Sequence, residues 1–218
     1  MITSLVTNNW VTITIIFMMV LLAVLNYLYE IRFAKFISLF NSNEYFIDYI
    51  NKSASIFNVF DMTLLLFQIG TYSLLIFKVN EYLFFIESTN QFLLFLKINL
   101  FLFIFYLFRY LIGKIIAVIL EMSDKQGLLS FVKLSYLSKV TIIVYPAIIV
   151  LYYSPWTGLL FLKIILLLTT VFLLFKYIQI IKHNQKLIFS NLFYFILYLC
   201  ALEIAPLIYV FKLFINKG

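Results

Sequence analysis

Ionisable side chains set inside long apolar runs are the residues of this chain that could do chemistry, and Glu203, Lys97, Lys163 and Arg109 are the candidates. A charge in mid-membrane costs about 2.5 to 3.5 kcal/mol on insertion scales, so such a residue is by default a functional site whose partner must be named. Glu203 precedes Pro206, which removes a backbone donor and can open the helix beside the carboxylate, as interrupted helices do where transporters hold ions. Counted at about 1.5 Å per residue from Ile188, Glu203 falls about 22 Å from the inner edge of a hydrocarbon core about 30 Å thick, hence about 8 Å below the outer edge. Lys97 and Lys163 enter from outside and lie about 8 and 10 Å down by the same count. The expectation is that Glu203 faces the bundle interior and pairs with Lys97 or Lys163. In the competing reading both lysines snorkel to the outer headgroups and Glu203 stays protonated, hydrogen-bonded to a neighbouring helix.

Arg109 comes about 26 Å below the outer face, close enough to the inner headgroups to snorkel there, with a pairing to Glu121 or Asp61 as the sharper alternative. Asp61 opens a helix, where the helix dipole favours a carboxylate without any function. Other chemistries find no residues. There is no His-Glu-x-x-His, no Gly-x-Ser-x-Gly and no phosphate-binding glycine loop. With one histidine, His183, one cysteine, Cys200, and five glycines, an intramembrane protease, a bis-histidine haem protein or an ATPase is not expected, and neither a cofactor nor a metal is called for. Asn51-Lys52-Ser53 matches a glycosylation acceptor but falls in a loop assigned to the cytoplasmic side.

The elements that must position these residues are membrane helices. The chain is 65% hydrophobic, 20% aromatic and only 11% charged, with a mean hydropathy of +1.10. Such a composition cannot make a soluble surface. Crossing the hydrocarbon takes about 20 helical residues, because the backbone must satisfy its own hydrogen bonds there. Apolar runs of that order are expected at about 10–29, 59–77, 92–113, 138–153, 156–177 and 188–211. Between the fourth and fifth, Ser154-Pro155-Trp156 supplies a cap and a first-turn proline for a tight helical hairpin. Two stretches, 37–50 and 128–137, carry apolar residues at helical spacing but are too polar to span, and read as short interfacial helices or as loops packed on the bundle. The fold class is therefore all-α: a polytopic membrane bundle of about six transmembrane helices with one or two short interfacial helices, a single integral membrane domain over 1–218.

The net charge of +7 would suggest nucleic acid on a soluble protein. Here it marks cytoplasmic loops and anionic headgroups instead, so lipid is the expected partner and nucleic acid is not. Of sixteen Lys and Arg, ten between Arg32 and Lys186 fall on one side, Lys78, Lys212 and Lys217 on the other, and Lys97, Arg109 and Lys163 within spans. That asymmetry places both termini outside.

Three strings carry a resemblance: Phe108-Arg109-Tyr110, Lys133-Leu134-Ser135-Tyr136, and the run Leu197 to Leu207 that contains Cys200, Glu203 and Pro206. Together they resemble the Bacteroidota membrane family called domain of unknown function 4271, over roughly Tyr27 to Lys212 and most strongly in the last helix. The resemblance implies a bacterial inner-membrane protein. It carries no catalytic or binding role onto Arg109, Lys133 or Glu203, because the family has none assigned. Three functions stay in view. The first is a non-catalytic component or assembly partner of an envelope complex, and the second a small ion- or proton-coupled transporter or channel using Glu203. The third, a lipid-modifying enzyme built around Arg109, Glu121 and Lys133, ranks last.

Overall fold

In the computed structural model, residues 9–38, 45, 49, 58–83, 90–119, 123–154 and 159–183 are described. They form helices α1 (Asn9–Leu28), α2 (Glu30–Ile37), α3 (Val59–Leu83), α4 (Gln91–Ile119), α5 (Ser123–Tyr153) and α6 (Leu159–His183). No strand occurs among the described residues. Among the described residues four stretches are long and apolar enough to cross a membrane: Asn9–Leu28, Val59–Tyr82, Gln91–Ile119 and Ser130–Tyr153. The apolar part of α6, Leu160–Leu174, is shorter. The expected sixth span, 188–211, lies outside the described residues.

Helix α3 is the axis. It packs against α1, α4 and α5, while α5 also touches α2, α4 and α6. Its sequence explains that place, because small and polar residues, Gly70, Thr71 and Ser73, interrupt its apolar surface where neighbours come close. A Cβ on Gly70 would collide with the Met18 Cε, so this glycine lets α1 lay a methionine across the α3 backbone. Hydroxyl residues survive in these apolar helices by bonding their own backbone. Thr14, Thr63, Thr71, Thr141 and Thr170 each donate to the carbonyl four residues back, at 2.7 to 2.8 Å.

Two apolar clusters fill the bundle. One, around Ile15, Met18, Phe67, Leu74, Val144 and Ile148, extends to an aromatic group in which Trp10 meets Phe77, Phe92 and Phe95 at 5.1 to 5.9 Å between centroids. The other gathers Leu25, Phe36, Tyr45, Phe60, Leu64, Phe131, Val132 and Tyr136 at the opposite end.

One expectation is corrected. The stretch 128–137 is no separate surface helix or loop, since α5 runs without a break for 31 residues from Ser123 to Tyr153. Lys133, Ser135, Ser138 and Lys139 give this stretch the look of a boundary, yet all of them are buried. Their polarity is used between helices and not against water. Pro146 lies within the same helix, exposed on its surface, and does not end it. Of the other stretch, Ile37 ends α2, Tyr45 and Tyr49 are helical, and most of the rest lies outside the described residues.

Candidate functional site

The most polar buried place among the described residues is at the end of the bundle where Lys and Arg concentrate. Tyr29 breaks the regular helix between α1 and α2 with φ −132° and ψ 45°, although backbone bonds run across it from Tyr29 N to the Leu25 carbonyl and from Phe33 N to the Tyr29 carbonyl. The turn brings Arg32 inward, only 6% exposed. Asp61, the third residue of α3, is 1% exposed and faces it. Arg32 Nη2 donates to Asp61 Oδ1 at 3.0 Å and Oδ2 at 2.9 Å, and to the Tyr45 hydroxyl at 3.4 Å.

Aromatic rings box the guanidinium. Its carbon lies 4.3 Å from the Phe60 centroid, 5.0 Å from Tyr49 and 5.9 Å from Tyr45, within the range in which a ring face attracts a cation. Tyr45 in turn stacks on Phe131 of α5 at 5.7 Å. Lys139 Nζ donates to the Ile37 carbonyl, which ties the end of α2 to α5. Lys133 is buried on the same helix.

The electrostatics keep Arg32 charged and Tyr45 neutral. Burial works against the guanidinium charge, but the Asp61 carboxylate and the hydrogen bonds to Tyr45 and Asp61 outweigh it and raise Arg32 above its ordinary value. Burial pushes the Tyr45 hydroxyl up to about 12, against the opposing pull of Arg32. Arg32 Nε is buried with no hydrogen-bond partner.

A second polar group lies deeper, between α3, α4 and α5. Gln68, fully buried, donates its amide to the Tyr106 hydroxyl at 2.6 Å and accepts from the Ser138 hydroxyl at 3.3 Å. The Tyr72 hydroxyl lies beside Thr141 without reaching hydrogen-bond geometry, and the Ser73 hydroxyl is buried without a partner; nearer Arg32, the Ser135 hydroxyl stands in the same way beside that of Tyr45. Tyrosines close the far end: Tyr145 donates to the Ile15 carbonyl at 2.7 Å and Tyr152 to the Leu74 carbonyl at 2.8 Å.

Of the residues singled out in the sequence, Lys97, Lys163 and Arg109 are among those described. Lys97 is exposed on α4, Lys163 is exposed on α6, and Arg109 is half-buried on α4. Glu203, Pro206 and Glu121 lie outside the described residues. Asp61 is not a bare helix-dipole carboxylate, nor is Arg109 its ion-pair partner: Arg32 holds both of its oxygens. Arg32 was expected among the loop charges, and the signal that marks it is its place just beyond one span with an acid at the same-side start of the next.

The chemistry this arrangement supports is attachment of helices to one another. Among the described residues no cluster of His, Cys, Asp or Glu could hold a metal ion. The family model described as Domain of unknown function (DUF4271) matches residues 11–214. No curated protein and no solved structure matches the chain.

Proposed function

The chain belongs to the DUF4271 family, and from that premise we propose that it is a multi-pass inner-membrane protein serving as a non-catalytic component or assembly partner of an envelope complex. What supports this reading is how the buried charges are used. Arg32 is spent on Asp61 and Lys139 on the Ile37 carbonyl, so these polar groups fasten α2, α3 and α5 to one another. A scaffold needs that rigidity. Solubilising native membranes in a mild detergent and identifying what accompanies the protein tests the proposal. A reproducible stoichiometric partner is the expected result, and a solitary protein that moves protons or solute in vesicles overturns it.

The second reading is a small ion- or proton-coupled transporter or channel using Glu203, paired with Lys97 or Lys163. One observation favours it: Asp61, Gln68 and Tyr72 stand at helical spacing on one face of α3, a polar line leading inward from the basic end. Under this reading Glu203→Gln abolishes proton uptake into vesicles loaded with a pH-sensitive dye. Uptake equal to that of the unsubstituted protein removes Glu203 from the mechanism.

A further inference from the structure

Helix α2 turns a charge inward and isoleucines outward. It buries Arg32 and Phe36 against the bundle, while Ile31 is 72% and Ile37 52% exposed, with Ala34 exposed between them and Glu30 exposed at the first turn. In water the exposed isoleucines gain nothing, while the buried guanidinium is already held by Asp61. The outer face becomes favourable where its surroundings are apolar.

The depth of α2 follows from its ion pair. Asp61 is the third residue of the Val59–Tyr82 span, 24 residues long and therefore about 36 Å at 1.5 Å per residue, against about 30 Å of hydrocarbon. Centred in that core, the span puts Asp61 where acyl chains meet headgroups. The 2.9 Å contact of Arg32 with Asp61 holds α2 at that level. Its outer face also continues the exposed line of Val24 and Leu28 on α1 into Ile31, across the break at Tyr29.

We propose that the Ile31, Ala34 and Ile37 face of α2 is seated in the lipid of the inner leaflet, at the boundary of acyl chains and headgroups. The Arg32–Asp61 pair is then an intramembrane clamp, shut off from the cytoplasm on the side that lipid covers. It acts as the anchor that keeps α2 at this depth, and a bundle lacking it lets α2 rise toward water.

The test uses the full chain with Cys200→Ser, so that Ile31→Cys and, separately, Ile37→Cys each carry a single bimane label; Ala34→Cys replaces either if it does not purify monodisperse. Each protein is reconstituted in phosphatidylethanolamine and phosphatidylglycerol vesicles containing lipid brominated either near the headgroup end or near the middle of the acyl chain. Several-fold stronger quenching by the shallow bromines than by the deep ones, with weak quenching by iodide, is the expected result. Leu100→Cys, exposed on α4, gives the deep reference. Iodide quenching as strong as that of free dye overturns the proposal in favour of water. Protection from both bromine and iodide also overturns it, in favour of a protein partner on this face. Adding Asp61→Asn to Ile31→Cys should raise iodide quenching several-fold, and no change there overturns the clamp.

Discussion

Arg32 and Asp61 show how an ion pair without solvent differs from one on a surface. Removing one partner leaves the other charge buried and unsatisfied, which costs about 3 to 5 kcal/mol, whereas replacing both by apolar groups of similar size can be neutral. Arg32→Met alone and Asp61→Leu alone should each lower the thermal unfolding midpoint in detergent sharply. Combining Arg32→Met with Asp61→Leu should recover most of the loss, and a double variant as unstable as the sum of the singles would contradict the pairing. Tyr45 makes a second prediction. Its hydroxyl titrates at about 12 in the fold against an ordinary 10.0, so the folded state holds its proton where the unfolded chain has lost it. Stability should therefore fall as pH rises from about 10 through about 12. Tyr45→Phe should blunt that alkaline fall in pH-dependent unfolding curves while leaving neutral stability little changed.

At the scale of elements, α5 is where the structure departs from the pattern of its residues. Its first half carries two buried lysines and two buried serines, yet it is one helix with the apolar second half. Proline inside a helix removes a backbone bond and clashes with the preceding turn, costing about 3 kcal/mol. Leu137→Pro should therefore destabilise the protein by about that much, where a loop at this point would absorb it; unfolding in detergent measures the difference. The contact from α4 through Gln68 to Ser138 is smaller. Interhelical hydrogen bonds in membranes average about 0.6 kcal/mol and reach about 1.7, because the separated helices also find partners. Gln68→Leu should cost about 1 kcal/mol, and a far larger loss would mean that the group also holds something besides the helices.

For the molecule as a whole, the charge asymmetry makes a prediction that the helix packing leaves untouched. Reporter fusions at residue 1 and at residue 218 should both be active in the periplasm and silent in the cytosol if the chain crosses an even number of times. Four of the apolar runs, those of α1, α3, α4 and α5, were legible because spanning helices follow from a rule of length and composition, which needs no knowledge of neighbours. The Arg32 site was not. Its guanidinium lies 29 residues from its acid, and its aromatic box draws on Tyr45, Tyr49 and Phe60, so no local window contains it. The break at 137 was misread for the same reason, since a buried lysine and a loop lysine look alike until the helix that covers one of them is known.

What the sequence by itself determined is therefore the material: apolar helices, four of them of spanning length among the described residues, because length and composition add along the chain. Which charges face inward was decided only by the tertiary structure. Desolvating Arg32 is favourable only when Asp61 and the surrounding rings arrive together, and that coincidence belongs to the packed bundle and not to any one helix.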